Sequence, residues 1–112
     1  MYEITVAVCV YKQKHWLHRC LRSLNSQTLE KSRYEVVVVN DDPQENLDDV
    51  IDIFKEHMNI RVINNEKNLG LPKSLNKILK TSMAKYFVRV DCDEYVSIHF
   101  DLLILLRYQL DY

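Results

Sequence analysis

Tyr34-Glu35-Val36-Val37-Val38-Val39-Asn40-Asp41-Asp42-Pro43 decides the fold. Four successive valines offer no polar face to either side of a strand, so residues 34–39 read as a strand covered on both faces. Asn40, Asp41, Asp42 and Pro43 are turn formers and end it at once. Working outward, residues 4–10 form a second β-branched run that reads as the opening strand. Between the two, Trp16, Leu17, Cys20, Leu21 and Leu24 recur at helical spacing and predict a helix over residues 15–26. Downstream, Leu47, Val50, Ile51, Phe54 and Met58 make the apolar stripe of another helix, and residues 60–63 a short strand. Leu71, Leu75, Ile78 and Leu79 line a third helix, residues 86–90 a fourth strand, and from about Ile98 the leucines predict a fourth helix.

Strand and helix therefore alternate, with one strand apolar on both faces. This pattern predicts an α/β fold: an open, mostly parallel Rossmann-like sheet built from four βα units with right-handed crossovers. Ligands of such sheets bind outside the carboxyl ends of the strands, where strand order reverses. The rule selects residues 11–14, 40–44, 64–73 and 91–96 before any motif is considered.

The 112 residues suit one compact domain, and 47% hydrophobic with 28% charged residues is a globular composition. A net charge of −1 with scattered basic residues argues against nucleic acid as a partner, while leaving room for a small phosphate-bearing ligand. Cys9, Cys20 and Cys92 fit neither a zinc site nor a disulfide framework, and their odd number fits a reducing compartment. Glu3 interrupts the start of the chain as a signal peptide, and the run from Leu102 to Leu106 is far short of a bilayer span. The expectation is a soluble, cytoplasmic protein without a transmembrane segment.

The acidic run Asp91-Cys92-Asp93-Glu94 follows the fourth strand directly. Its three carboxylates repel one another unless a cation or water screens them. At a strand end the chain turns, and both aspartates can approach one ion directly or through water. Hard carboxylate oxygens suit Mg²⁺ or Mn²⁺, which complete their shells with water and substrate phosphates. The alternative is an acidic surface turn in which one aspartate caps a helix. After the valine strand, Asp41 can accept a hydrogen bond from a base N–H or a ribose hydroxyl, as acidic residues at strand ends do in nucleotide folds; the alternative is a turn that starts a helix. Asn68-Leu69-Gly70-Leu71-Pro72-Lys73-Ser74 holds the only glycine of the chain, at a position where positive φ or close approach is expected. Pro72 suits a first helical turn, and Lys73 can reach a phosphate there. His15 and His18 share a helix face but lack a third metal ligand. Cys9 reads as core, and Tyr11 stands at the ligand end of the first strand.

Taken together these segments resemble family 2 glycosyltransferases of the GT-A type. Val6-Ala7-Val8-Cys9-Val10-Tyr11-Lys12 resembles their opening strand, which runs into a Pro-Thr-Tyr-Asn turn. Residues 36–41 resemble the strand ending in Val-Asp-Asp or Val-Asn-Asp, and residues 68–76 the Asn-x-Gly-Leu segment. Arg89-Val90-Asp91-Cys92-Asp93-Glu94 resembles the strand ending in Asp-x-Asp. The motifs stand in the family's order across nearly the whole chain.

The resemblance implies a donor site for a nucleoside diphosphate sugar, with a UDP-sugar favoured. It places Val10 and Tyr11 beside the base, Asp41 on uracil or ribose, and Lys73 near the base or phosphates. Asp91 would approach the ribose or a metal-bound water, and Asp93 would ligate Mn²⁺ or Mg²⁺ on the diphosphate. The acceptor hydroxyl would be deprotonated by a base expected beyond Tyr112, since family members continue for roughly another half domain. Residues 1–112 are accordingly expected to be a single truncated GT-A-like domain, with a non-catalytic nucleotide- or nucleotide-sugar-binding module, or a degenerate remnant lacking the acceptor half, as the alternative. Cys9 and Val10 stand where the family has Pro-Thr, and Lys12 where it has Asn. A strand left open at residues 86–90 and the apolar tail predict self-association, most simply as a symmetric homodimer.

Overall fold

The computed structural model describes residues 2–96. The expected fourth helix from about Ile98, and its share in self-association, lie outside the described residues.

Strands β1 (Ile4–Val10), β2 (Tyr34–Asn40), β3 (Ile60–Asn64) and β4 (Tyr86–Arg89) alternate with helices α1 (Lys14–Asn25), α2 (Asp48–Phe54) and α3 (Leu71–Thr81). The strands pair in the order β3-β2-β1-β4, every pairing parallel. This is the expected α/β sheet, wound outward from β1 in both directions.

The valine run lies at the centre of this arrangement. Successive side chains of a strand point to opposite faces, and here both faces are covered. Val36 and Val38 join Ile4, Val6, Val8 and the buried side of α1 and α2 in one core cluster. Val37 and Val39 join Ala7 and Ile78 of α3 in the other. The register matches Val36 to Val6 and Val38 to Val8, so apolar positions meet across the β1–β2 pair. Helix α1 buries Leu17, Cys20, Leu21 and Leu24, the spacing of one apolar stripe. Helix α2 is shorter than its stripe implies: Leu47 precedes it and Met58 follows it, yet both are buried. Burial there follows from packing against the sheet and needs no helical backbone.

At the amino-terminal end of the sheet the buried Glu35 is satisfied by a buried hydroxyl and a partly exposed guanidinium. The Glu35 carboxylate accepts from Thr5 Oγ1 at 2.8 Å and from Arg61 Nε at 3.0 Å. A buried charge so satisfied ties three strands together without a ligand.

The chain leaves β1 for β2 and β3 on one side and returns to β4 on the other. Strand order therefore reverses between β1 and β4, and the carboxyl ends of these strands flank the crevice that ligands of open sheets use. Strands β3 and β4 form the two edges of the described sheet.

Candidate functional site

An open cavity of about 300 Å³ lies at that reversal point, lined by Cys9, Tyr11, Gln13, Asp41, Leu71, Arg89, Asp91, Cys92 and Asp93. Tyr11, Asp41, Asp91 and Asp93, expected from the sequence, meet in it. Val10 is buried in the core and Lys73 is exposed on the first turn of α3, neither of them among the lining residues.

The acidic turn gains its shape from alternation. Asp91 and Asp93 are exposed while Cys92 between them is buried, so the two carboxylates share the outer side. The Cys92 thiol donates to the Gln13 carbonyl at 3.5 Å, and burial pushes it up to about 12, which leaves it neutral. Glu94 closes the turn: its Oε1 accepts from the Asp91 amide at 2.8 Å, and its own amide donates to the Asp91 carbonyl at 2.9 Å. The third carboxylate of the run is thus used locally.

Arg89 Nε and Nη2 both reach Asp91 Oδ1, each at 2.8 Å. Asp93 accepts no hydrogen bond and forms no ion pair among the described residues. No group of three or more potential ligands is assembled for a metal among the described residues. What the cleft offers is one unpaired carboxylate, Asp93, and the second oxygen of another, Asp91. That donor set is hard and incomplete, and it suits a Mg²⁺ or Mn²⁺ ion that takes its other ligands from water and phosphate.

Asp41, on the opposite wall, is the reverse case. It is 4% exposed. Its Oδ1 accepts from Asn65 Nδ2 and from the Leu69 amide, both at 2.8 Å. Its Oδ2 accepts from Asn68 Nδ2 at 2.9 Å and from the Gly70 amide at 3.0 Å. Burial by itself raises the carboxyl pKa, but the bonds from the Leu69 amide, Asn65 and the Gly70 amide outweigh it, and the group is held below the ordinary value. Gly70 has φ 86° and ψ 164°, a conformation open in practice only to glycine. A Cβ there would meet nothing within 4 Å, so the need for glycine is one of backbone angle, not of close approach.

Cys9 is half-buried at the floor. Burial first, then the negative charges of Asp41 and Asp91, raise its thiol to about 11. Tyr11 is 44% exposed, with the Lys12 ammonium 5.3 Å from its ring centroid. Lys12 has φ 56°, in the left-handed region that asparagine tolerates better than lysine. This gives a backbone reason for the asparagine that the Pro-Thr-Tyr-Asn pattern carries there.

Arg89 has a sequence signal of its own: in an extended strand it shares a side with Asp91, two residues on. Asn65 and Asn68 carried no such signal, because the contact with Asp41 spans more than twenty residues of sequence.

A family model described as glycosyl transferase family 2 matches residues 5–111. The chain belongs to glycosyl transferase family 2. Among its family relatives is an uncharacterized glycosyltransferase of Haemophilus influenzae, 34% identical over 81% of this chain and 28% of its own length. The crystal structure of S. aureus TarS 1–349 in complex with UDP-GlcNAc superposes with a TM-score of 0.85 at 28% identity, over 99% of this chain and 31% of that one. The mannosyltransferase PcManGT of Pyrobaculum calidifontis, solved with GDP-Man and Mn²⁺, shares the fold at a TM-score of 0.74 and 20% identity, over 81% of this chain and 27% of that one. This family 2 chain thus spans about a third or less of the length of these relatives.

Proposed function

We propose that the cleft binds a nucleoside diphosphate sugar, with a UDP-sugar favoured, together with Mn²⁺ or Mg²⁺, as the donor site of a glycosyltransferase acting on an acceptor hydroxyl. The observation that carries this reading is the unequal use of carboxylates around one cavity. Asp93 is left free and Asp91 half free at the strand-order reversal, where open sheets hold nucleotides. Only one of the two Asp91 oxygens has a cationic partner, Arg89, and Asp93 has none among the described residues, so a metal ion can join the free Asp91 oxygen to Asp93. The relatives support the same reading, since TarS was solved with UDP-GlcNAc and PcManGT with GDP-Man and Mn²⁺.

In this reading the exposed face of Tyr11 and the side chain of Leu71 border the base, and Val10 supports Tyr11 from below. Asp41 and the loop bonded to it shape the nucleoside end. Asp93 and the free oxygen of Asp91 hold the metal, which when bound supplies a positive charge that stabilises the departing nucleoside diphosphate. Arg89, paired to the other Asp91 oxygen, competes with the metal for the charge of that carboxylate. Lys73 has a flexible four-carbon stem and approaches a phosphate from the rim. The free thiols of Cys9, Cys20 and Cys92 agree with a reducing, cytoplasmic setting. No helix among the described residues is long and apolar enough to cross a membrane. Association as a homodimer through the edge of β4 belongs to the same proposal, and sedimentation at micromolar concentration tests it: a strict monomer removes it.

The direct test is calorimetric titration with UDP, UDP-GlcNAc and GDP-mannose, with and without Mn²⁺. Binding that needs Mn²⁺ and favours uridine is expected. Absence of binding by all three ligands in the presence of Mn²⁺ overturns the reading.

A further inference from the structure

The segment 65–70 has no strand or helix to hold it, yet it leads directly into Leu71, a wall of the cleft. The Asn65 amide N–H ties its start to the Asn40 carbonyl at 2.9 Å, and from there on most of its hydrogen bonds converge on one carboxylate. An ionised carboxylate offers about four acceptor directions, and Asp41 fills four with donors from Asn65, Asn68, Leu69 and Gly70.

The network runs on past the carboxylate. Lys77 Nζ donates to Asn65 Oδ1 at 2.7 Å, and an ammonium can only donate. The Asn65 amide is thereby oriented, with its NH₂ turned to Asp41 Oδ1 and, at 3.1 Å, to Ser74 Oγ. Asn65 is 3% exposed and Ser74 fully buried, so an amide turned the wrong way would leave buried groups unpaired. A cation on α3 and an anion after β2 are thus joined through one buried amide. The loop between them is closed by two backbone N–H groups on the same anion, the kind of charge-assisted bond that exceeds a neutral one in strength.

We propose that Asp41 is the positioning residue of the cleft: its carboxylate locks segment 65–70 and the Leu71 wall, and nucleotide affinity depends on that lock. The proposal rests on the reading of the cleft as a nucleotide site. It assigns to Asp41 a role through the loop that a direct contact with base or ribose does not require.

The experiment is amide hydrogen exchange on the full chain, read at single residues, combined with calorimetry using UDP and Mn²⁺. In Asp41→Asn the shape is kept while two acceptor directions become donors. Leu69 and Gly70 amides should lose about tenfold or more of their protection, while Val37 and Val39 in β2 keep theirs, and UDP affinity should fall with them. Should Asp41→Asn fail to fold, Asn68→Asp at an exposed position sets a second carboxylate against the first. The same two amides should then lose protection, and 1 M salt should restore part of it by screening, on the order of a 3 Å Debye length. Unchanged protection of Leu69 and Gly70 in the variant overturns the lock. Lost protection with unchanged UDP affinity overturns the coupling to the site. Failure of the wild-type chain to bind UDP at all overturns the functional reading and the coupling together, and leaves the exchange result to decide the lock alone.

Discussion

Asp41 and Asp93 are the same residue type, each just past a strand end on one cavity, and the fold treats them in opposite ways. The Asp41 carboxylate is buried and receives four donors from a loop more than twenty residues downstream. Asp93 is exposed and has no hydrogen-bond or ion-pair partner among the described residues. Asp91 stands between these cases, with one oxygen taken by Arg89. A carboxylate that already holds part of the protein contributes to stability. One that is exposed and holds nothing contributes little to the folded state and stays available to a ligand, which is why the second kind marks the working side of a cleft.

The comparison breaks most visibly if the wrong member proves structural. Asp41→Ala should cost about 3 kcal/mol or more in denaturant unfolding, because the buried Asn65 amide and the part-buried Leu69 and Gly70 N–H groups lose their acceptor, at about 1–3 kcal/mol per buried unpaired group. A loss below about 1 kcal/mol would mean the loop is held by something else. Gly70→Ala should cost about 1–3 kcal/mol, the penalty for a side chain in the conformation this glycine adopts. A neutral Gly70→Ala would show that segment 65–70 shifts freely to another backbone shape.

Asp93→Ala sharpens the contrast from the other side. Its stability should stay within about 0.5 kcal/mol of the parent, while Mn²⁺-dependent UDP affinity falls by about tenfold or more, equal to about 1.4 kcal/mol. Equal affinity in the presence of Mn²⁺ would remove Asp93 from the metal site.

Acid provides a titratable version of the first substitution. The folded pKa of Asp41 is lower than its unfolded value of about 3.9. Its stabilisation is therefore complete above the unfolded pKa and is lost as pH falls through the folded one. Unfolding free energy followed from about pH 5 downward should decline more steeply in the parent than in Asp41→Asn, where that proton-binding site is absent. Identical slopes would detach Asp41 from acid sensitivity. The smallest effect is expected for Arg89→Met. An exposed pair contributes about 0–1 kcal/mol, so stability should hardly move, while affinity for Mn²⁺ alone should rise by up to about fivefold as Asp91 is freed of its cation. A fall in Mn²⁺ affinity would show that Arg89 orients Asp91 more than it competes for it.

Much of this was legible in the chain. The valine run required a strand covered on both faces, and Val36 and Val38 indeed meet α1 and α2 while Val37 and Val39 meet α3. The lone glycine announced a special backbone angle, and Gly70 has one. The acidic run after the last described strand pointed to the cleft, and Asp91 and Asp93 line it. Helix ends were read less well. Met58 belongs to the core but not to α2, since periodicity reports which residues are buried and says little about where the hydrogen-bonded helix stops.

Local pattern by itself therefore determined the order of elements, the parallel sheet, the cleft's place at the carboxyl ends and the residue types around it. These follow from periodicities of two and 3.6 and from turn chemistry, all of which act over a few neighbouring residues. Tertiary structure alone decided which carboxylate is spent and which is free. Asp41 meets Asn65, Asn68, Leu69 and Gly70 only because β2 and β3 pair in one register, from Val36 with Ile60 to Asn40 with Asn64, and bring the two strand ends together. A hydrogen bond between residues so distant in sequence leaves no periodic trace, and it forms only once the sheet has closed the distance.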